Sequence, residues 1–339
     1  MPDLFDPYAM APDQVYTNIR DLAKYAPYKA HAEMLWKNFE PHADADFLGE
    51  VQRAFHQRFW EMYLGNVLLS LGHEIGSSQK NHGPDLYVSR KDGKIWMEAV
   101  AANRGNGVDA PADPYERMVE VMPGFRIDAD VIDGDDASIG DEELMITSSG
   151  VRCRIAVRGF NEEPILLRYH TAIDAKFKKH GKYLEDKRVM ASDPYVIALN
   201  GAGIPLDMMK DETPRIVKAL FGLGDDQFSV DVSTLEVTEA TFSIRRDITK
   251  KSGYSVAMDI FNDDSHEGVS AILYSTVNVA NYPKQIGADF VLVHNPYAKN
   301  PLPCGYFKVG TEYFVSEADL KIVKHADVGA EEPSQLGQS

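Results

Sequence analysis

Two carboxylates on a short β-hairpin are the side chains of this sequence best suited to metal chemistry. Asp85 stands at the start of one strand-like segment, and Glu98 lies near the end of the next, 94–100. An Asp-Gly pair between the segments is a strong signal for a tight hairpin turn. Acids in these two places can converge on one point. Two hard oxygen ligands there suit Mg²⁺ or Mn²⁺, which bind carboxylates together with water and substrate phosphate.

A long amphipathic helix is predicted upstream of this hairpin, from Asp46 to Gly72. Asp46 is placed to cap its N-terminus and Gly72 to end it. Glu61 follows Arg58 by three residues, so the two are neighbours on one side of the helix. Gly65, one turn further on, leaves room for another chain to approach. The apolar stripe has helical spacing and consists of Trp60, Leu64, Val67, Leu68 and Leu71.

Further elements extend this pattern on both sides of the hairpin. A strand is predicted to begin at His73, directly after the first helix. A second helix is predicted over 171–186, and the residues 195–200 are typical of a short buried strand. A strand–helix–strand connection of this kind normally gives a parallel pair with a right-handed crossover. The second helix has a basic side formed by Lys176, Lys178, Lys179 and Lys182.

This arrangement resembles the PD-(D/E)xK nuclease superfamily, whose members have a restriction-endonuclease-like fold. The Pro-Asp pair ending at Asp85 matches the first half of the motif and Glu98 the second, but Val100 stands in place of the motif Lys. The resemblance implies an α/β core over 46–200 with the order helix, strand, strand, strand, helix, strand and a mixed central sheet. Many members carry a helix Glu that joins the metal site, and Glu61 fits that place.

The activity that the resemblance implies is metal-dependent phosphodiester hydrolysis of nucleic acid, DNA or RNA. Glu61, Asp85 and Glu98 are then the ligands of Mg²⁺ or Mn²⁺, and Asp85 and Glu98 are also catalytic. The ion lowers the pKa of a bound water and neutralises charge on the scissile phosphate. The chain is thereby predicted to be a hydrolase acting on ester bonds.

Members of the superfamily that lack the motif Lys sometimes supply a basic residue from a neighbouring element. Lys176 or Lys179 of the second helix is the first candidate for this catalytic role. Lys94 is the second candidate. It shares the face of Glu98 but lies four residues away along the strand, about 13 Å at the usual rise, which is long for one site. Gln79, in the segment before the hairpin, is a further candidate for lining the pocket.

Each acid also has a purely structural interpretation. Asp85 is a common turn residue and could simply cap the turn after Pro84. Strand alternation leaves open that Glu98 faces solvent, and Glu61 could be a surface residue paired with Arg58. Glu98 lies in an otherwise apolar strand, and charged residues are seldom buried without a partner or metal, which favours the site interpretation there.

The rest of the chain is assigned by composition and periodicity. The acidic run 126–143 is interpreted as a solvated loop, and the segments 144–147 and 151–157 as a small inserted hairpin. Strand-like segments follow at 228–232, 241–245, 269–274 and 290–293. The predicted organisation is an N-terminal helical cap (1–45), a nuclease-like core (46–200) with an insertion at about 103–161, a C-terminal α/β extension packed on the core (201–328) and a disordered tail (329–339).

Two features near the C-terminus are given unspecialised interpretations. His294 and Asn295 follow the last strand-like segment and precede a Pro, which favours a turn that ends the strand. Cys153 and Cys304 are too far apart in sequence to indicate a disulfide framework or a zinc set. We therefore expect two reduced thiols in a cytoplasmic protein.

Composition sets the outer bounds on function. The 339 residues are 44% hydrophobic and 26% charged, as in ordinary globular proteins. There is no run of 18 apolar residues, which argues against a membrane span, and the first residues lack the pattern of a secretory signal.

The net charge of −17 argues against tight, sequence-independent binding to long duplexes, because basic domains are the usual footprint of such binding. A small or specific nucleic-acid substrate, or dependence on a protein partner, fits the charge better. Two other classes stay open. One is a nuclease-like fold without catalysis that binds or regulates, and the other is a metal-dependent phosphohydrolase acting on a nucleotide.

Overall fold

The computed structural model describes residues 2–78, 83–111, 129–130, 144–145, 152–156, 161–208, 212–231, 234, 237–316 and 319–325. Gln79, most of the acidic run 126–143 and the tail 329–339 lie outside the described residues. The α-helices of the described part are α1 (Gln14–Asp21), α2 (Ala26–Phe39), α3 (Phe47–Val51), α4 (Phe55–Ser70), α5 (Glu163–Glu185) and α6 (Arg215–Phe221). Short 3-10 turns occur at Ala23–Tyr25, Glu40–His42 and Asp264–His266.

The strands of the same residues run from Ile75 to Lys324. The first seven are β1 (Ile75–Ser77), β2 (Leu86–Arg90), β3 (Gly93–Asn103), β4 (Ala129–Asp130), β5 (Leu144–Met145), β6 (Arg152–Ala156) and β7 (Tyr195–Gly203). The remainder are β8 (Leu223–Asp231), β9 (Val237–Ile244), β10 (Asp247–Thr249), β11 (Ser255–Ala257), β12 (Ala271–Ser275), β13 (Val291–His294), β14 (Thr311–Ser316) and β15 (Asp319–Lys324).

The chain divides into two compact units whose segments alternate along the sequence. The first unit comprises Met1–Asn103, Ala172–Gly203 and His266–Ser339, and the second comprises Arg104–Thr171 and Ile204–Ser265. The division therefore does not follow the predicted boundary at residue 200. Residues 204–265 join the insertion in the second unit, while the C-terminal strands join the first.

The first unit is built on a mixed sheet of eight strands in the order β1-β2-β3-β7-β12-β13-β14-β15. The pairs β3–β7, β7–β12 and β13–β14 are parallel, and the other neighbours are antiparallel. The mixed α/β class and the parallel pairing of β3 with β7 are as predicted. β7 is buried from Tyr195 to Gly201, as its apolar composition indicates for a central strand.

The second unit contains smaller sheets. β6, β8 and β9 form an antiparallel sheet, β10 pairs with β11, and β4 pairs in parallel with β5. Residues 146–151 and 157 of the hairpin predicted between 144–147 and 151–157 lie outside the described residues, so that hairpin stays a prediction. In the described parts of these segments β5 pairs with β4, and β6 pairs with β8.

The predicted helix from Asp46 to Gly72 begins as predicted, because Asp46 is the N-cap residue of α3, but it is not continuous, because the chain forms two helices, α3 and α4. The Asp13 carboxylate accepts a hydrogen bond from the Phe55 amide at 3.0 Å and so caps α4 from 42 residues away. Gly72 adopts a φ of +80° just past the end of α4, as expected for a helix stop. A distant cap, rather than Asp46, fixes where the second helix begins.

Helix α4 is buried on all sides instead of presenting one apolar stripe, since every residue from Phe59 to Leu68 is buried. It packs against α2 and α3 and against the sheet. At Gly65 a Cβ would collide with the Phe39 ring of α2. The predicted close approach of another part of the structure at this glycine is therefore confirmed. A helix that is apolar all round belongs inside a core, and any polar side chain on it is therefore held in place.

Several other boundaries differ from the predictions. β1 begins at Ile75 rather than His73, and α5 begins at Glu163. The helix α6 and the hairpin of β14 and β15 were not predicted. Among the described residues, no helix is long and apolar enough to cross a membrane.

Candidate functional site

The hairpin register places the two predicted acids opposite each other. β2 and β3 are antiparallel, and Leu86 faces Met97. One further step along both strands brings Asp85 opposite Glu98. Residues directly opposite across an antiparallel pair point to the same face, with Cβ atoms about 5 Å apart. The convergence expected from the sequence is thus built into the local pairing.

Side chains complete the hydrogen bonding of β3 beyond the end of β2. The Ala99 amide donates to Asp85 Oδ2 at 2.8 Å, and the Ala101 amide donates to Gln57 Oε1 at 2.7 Å. Gln57 Nε2 also donates to the Ala99 carbonyl at 3.3 Å. Asp85 therefore has a backbone role like the one that its structural interpretation anticipated, although its partner lies in β3 rather than in the turn after Pro84.

Glu98 is fully buried, with 0% of its surface exposed, so the interpretation that it faces solvent is wrong. Lys176 Nζ donates to Glu98 Oε1 at 2.8 Å, and Lys179 Nζ donates to the same oxygen at 2.6 Å. The Tyr183 hydroxyl donates to Oε2 at 3.2 Å. Two ammonium groups and a phenol thus compensate one carboxylate removed from water.

The spacing of α5 explains why these three groups reach the same acid. Residues three, four and seven apart lie on one side of a helix, and Lys176, Lys179 and Tyr183 have this spacing. Lys178, between them, is exposed. The sequence indicated a basic side on this helix, and part of that side is turned inward onto Glu98.

Glu61 reaches the same region from α4 and is 5% exposed. Arg58 Nη1 donates to Glu61 Oε2 at 2.6 Å, and Gln57 Nε2 donates to Oε1 at 2.8 Å. Arg58 also binds Asp44 at 3.1 Å. The pairing with Arg58 that its structural interpretation required is therefore present, but the pair is buried rather than on the surface.

The electrostatics of these acids reflect their closeness. Burial, followed by repulsion from Glu61 and Glu98, raises the pKa of Asp85 well above its usual value, while Lys176 and Lys179 act in the opposite direction. Burial also raises the pKa of Glu61, against the attraction of Arg58. Asp85 and Glu61 thus resist ionising in this place, which is the setting that a bound cation relieves.

A cavity of about 230 Å³ opens at this point of the first unit. Its lining includes Glu61 and Asp85 among the acids and Arg58 and Lys179 among the bases. Lys179 connects the cavity with Glu98, because its ammonium binds that carboxylate. Asp44, Glu50, Ser77 and Ser78 also line the cavity.

The donor set fits a hard divalent cation. Asp85 and Glu61 present carboxylate oxygens to the cavity, and no ion pair joins Asp85 to a Lys, Arg or His among the described residues. A buried acid in that state is destabilised by its charge. Oxygen ligands of this type are those that Mg²⁺ and Mn²⁺ prefer.

The remaining predicted candidates lie elsewhere or outside the described residues. The Lys94 ammonium lies 3.7 Å from the centre of the Tyr87 ring and 4.8 Å from that of Trp96. It makes no contact with Glu98 among those recorded for the described residues. Gln79 lies outside the part of the chain that is described.

Sequence reasoning missed two residues of the site, Gln57 and Tyr183. Gln57 lies one helical turn before Glu61, and Tyr183 lies one turn after Lys179. Helical spacing from the residues already singled out was therefore a signal that could have found both. Their partners, a strand backbone and a buried acid, depend on tertiary structure.

Comparisons of this chain with models of protein families, with curated proteins and with solved structures found no match in any of the three.

Proposed function

We propose that this protein is a metal-dependent nuclease that hydrolyses phosphodiester bonds with Mg²⁺ or Mn²⁺ bound by Glu61, Asp85 and Glu98. The proposal rests on one observation above all. Acids from α4, from the residue before β2 and from β3 lie close together, and two of them line a cavity with Lys179 of α5, which binds the third. Separate elements that bring acidic and basic groups to one concave place form the usual pattern of a catalytic site.

The order of the elements supports the finer part of this proposal. α4, β1, β2, β3, α5 and β7 follow one another as helix, strand, strand, strand, helix and strand, and β3 and β7 are parallel. This is the order that the resemblance to the PD-(D/E)xK superfamily implies. We propose on this basis that the first unit has a restriction-endonuclease-like core, with the acidic insertion between β3 and α5.

Each residue of the site has a distinct part in the proposed reaction. Asp85 and Glu61 hold the cation from the cavity side, and Glu98 holds it from β3. A divalent cation bound there supplies Lewis acidity and lowers the pKa of a coordinated water. Gln57 fixes both Glu61 and the β3 backbone, so the ligand atoms keep their places.

The two lysines take the place of the Lys that Val100 leaves missing. Lys179 is 45% exposed at its side chain and lines the cavity, so its ammonium is available to phosphate oxygens there. Lys176 is 19% exposed and holds the Glu98 carboxylate. Lys179 is therefore the proposed catalytic lysine, and Lys176 the proposed positioning residue.

The charge of the cavity explains why the reaction needs the cation. Four carboxylates line it, from Asp44, Glu50, Glu61 and Asp85, against two cationic side chains. A phosphodiester is repelled by such a surplus of negative charge at short distance. A bound divalent ion removes the surplus, so substrate binding and metal binding are expected to depend on each other.

Cleavage of short labelled DNA and RNA by the full chain, with Mg²⁺, with Mn²⁺ and with chelator, tests the proposal. We expect cleavage only with metal, and a loss of at least about a thousandfold in Asp85→Asn and Glu98→Gln, because several kcal/mol of charge stabilisation disappears. Asp92→Asn is the matched control, an exposed acid in the turn of the same hairpin. Cleavage that survives Asp85→Asn would refute the proposed site.

A rescue experiment tests the assignment of the lysine. Lys179→Met is expected to lower the cleavage rate by about a hundredfold, while Lys178→Met on the exposed side of the same helix leaves it unchanged. Adding Val100→Lys to Lys179→Met is expected to restore much of the rate, because it puts an ammonium on the face of β3 that carries Glu98. If Val100→Lys does not restore the rate, Lys179 only holds the Glu98 carboxylate in place and is not the catalytic lysine.

One observation favours the alternative of a binding module without catalysis. Both oxygens of Glu98 are already satisfied by Lys176, Lys179 and Tyr183, so this acid is stable without metal. Binding of labelled nucleic acid without cleavage in any metal would support that alternative. Release of phosphate from nucleotides alone would instead support a nucleotide phosphohydrolase, which the net charge of −17 suits.

A further inference from the structure

A second cluster of ligand-type side chains lies in the same unit, on the strands β13 and β14 and on the loop between them. One nitrogen of His294, the sulfur of Cys304 and a carboxylate oxygen of Glu312 all lie within 4.8 Å of one another. Glu312 is fully buried and Cys304 is exposed. None of these three residues takes part in the acid cluster around Glu98.

The sheet register explains how residues distant in sequence come together here. β13 is parallel to β14 with Leu292 beside Glu312, so His294 is a diagonal neighbour of Glu312 on the same face. β15 is antiparallel to β14, with Val323 opposite Glu312, and His325 follows two residues later. Three adjacent strands therefore direct two imidazoles towards one buried carboxylate.

The loop that carries Cys304 is tied to the same carboxylate. The Gly305 amide donates to Glu312 Oε2 at 2.9 Å, and Gly305 has a φ of +72°, which few other residues adopt. This bond holds the preceding residue, Cys304, at the edge of the cluster. The thiol is thus fixed in position by the backbone beside it.

The surroundings of His294 show which of its nitrogens faces the other ligand-type groups. Its Nδ1 faces the Leu302 carbonyl at 3.2 Å, and its Nε2 faces Glu312 Oε2 at 2.8 Å. Both partners are acceptors, so without a metal His294 satisfies both of them only when each of its nitrogens carries a proton. An Nδ1–H bound to a backbone carbonyl, with Nε2 directed at other ligands, is the usual arrangement of a metal-binding histidine.

We propose that His294 Nε2, Cys304 Sγ and a Glu312 carboxylate oxygen bind one Zn²⁺ ion. Imidazole, thiolate and carboxylate together form a ligand set typical of zinc rather than of Mg²⁺, which takes oxygen ligands alone. His325 Nε2 lies 2.7 Å from Glu312 Oε1 and is the hydrogen-bond partner that orients this ligand.

The three ligand atoms, which lie within 4.8 Å of one another, have to change their separations to bind one ion. Ligand atoms around a tetrahedral zinc ion lie about 3.3 Å apart at the usual bond lengths. His294 Nε2 and Glu312 Oε2 at 2.8 Å therefore have to separate by about half an ångström, and the thiol, at the exposed edge, can move inward. Three protein ligands leave a fourth position for water or an added ligand.

Cobalt titration of the full chain, under reducing conditions, tests this site. Co²⁺ replaces Zn²⁺ in such sites and gives a thiolate-to-cobalt charge-transfer absorption when a cysteine is a ligand. We expect this absorption to saturate at one ion per chain and to disappear when Zn²⁺ is added. Its absence from the wild-type protein would overturn the proposal.

Variants identify the ligands and guard against misfolding. Cys304→Ser changes an exposed residue, so it keeps the fold, and it is expected to abolish the absorption, whereas Cys153→Ser, at the other cysteine, keeps it. His294→Gln is expected to weaken zinc binding by at least about a hundredfold in competition with a chelating indicator, and His325→Gln by about ten- to a hundredfold. His42→Gln is the histidine control.

Two outcomes separate this site from the acid cluster. Asp85→Asn and Glu98→Gln are expected to leave the cobalt absorption and the zinc affinity unchanged. Absorption that persists in Cys304→Ser, or that is lost in Asp85→Asn, would overturn the assignment of the ion to His294, Cys304 and Glu312. Because the readout is metal binding, it is independent of any nuclease activity.

Discussion

Two fully buried glutamates lie in one sheet, Glu98 in β3 and Glu312 in β14, and different groups neutralise them. Glu98 is held by two ammonium groups and a phenol, with two further acids nearby. Glu312 is held by His294, His325 and the Gly305 amide. Burial of a carboxylate is common to both, so burial alone does not tell which ion a site prefers.

The cluster around Glu98 and the cluster around Glu312 differ in the direction in which the pKa values of their acids are shifted. Beside Glu98, burial and the two neighbouring acids raise the pKa of Asp85. Burial acts in the same direction on Glu312, but hydrogen bonds from His294, Gly305 and His325 outweigh it and lower its pKa to about 2. The first cluster therefore has an excess of negative charge that suits an added hard cation. The second is satisfied by N–H donors, which a softer metal would replace.

The largest effect on stability is expected from Glu98→Ala. Removing this acid leaves Lys176, which is 19% exposed, without its buried partner, whereas Lys179, which is 45% exposed, can turn to solvent. We therefore expect a loss of about 3 kcal/mol, at the lower end of comparable cases. The measurement is the free energy of unfolding in urea, with chelator present, and Asp92→Ala is the exposed control. A loss below about 1 kcal/mol would mean that the two clusters do not differ in how strongly they depend on their glutamate.

Protonation of Glu312 at low pH is expected to lower the free energy of unfolding by a smaller amount, on the order of 2 kcal/mol. Its folded pKa lies below the ordinary value of 4.5, so its contribution to stability is complete above about pH 4.5 and is lost as the pH falls towards 2. Denaturation of the wild type and of Glu312→Gln across this range measures the effect. A pH dependence that is the same in Glu312→Gln and in the control Glu267→Gln would contradict it.

The substitution Asp85→Asn is expected to raise the stability of the fold rather than lower it. The pKa of Asp85 is raised in the folded state, so its ionised form opposes folding, and this penalty grows as the pH rises through that pKa. Removing the charge is expected to stabilise the metal-free protein by about 1 kcal/mol at neutral pH, because the amide can still accept from Ala99. Thermal denaturation in chelator measures this gain.

Magnesium sharpens the same comparison. If the proposed site binds Mg²⁺, the wild type is expected to gain stability by mass action as Mg²⁺ is added. Asp85→Asn is expected to gain little, so the advantage of the variant shrinks. A stabilisation by Mg²⁺ that is equal in both proteins would show that Asp85 is not a ligand.

The smallest effect is expected from Lys94→Met. Its ammonium lies over two aromatic rings, and such contacts contribute up to about 1 kcal/mol near a surface. Cleavage is expected to stay within about twofold of the wild type, because Lys94 does not contact Glu98. A loss comparable to that of Lys179→Met would restore Lys94 as a candidate for the missing lysine.

Local patterns predicted the parts of this structure that local forces determine. The hairpin of β2 and β3 follows from a turn signal, and the position of Asp85 opposite Glu98 follows from its register. Lys176 and Lys179 were identified because basic residues on a helix share a side. Their assignment to catalysis stays a prediction, as does the bound metal.

Long-range contacts determine what the sequence could not indicate. The break between α3 and α4 depends on a cap from Asp13, and the strand β6 pairs with β8, more than 65 residues further on. His294 was interpreted as a turn residue because its partner Glu312 lies in a strand that had not been predicted. Register across three strands, rather than spacing along one, brings such residues together.

The position of the acid cluster depends on Asp13, a residue that lies outside it. Its Oδ1 accepts from the Val15 and Tyr16 amides at the start of α1, and its Oδ2 accepts from Phe55 at the start of α4. A single side chain thus ties the first helix to the one that carries Gln57 and Glu61. Trimming the N-terminus through Asp13, or fusing a bulky tag against it, would therefore loosen α4 without removing any residue of the acid cluster.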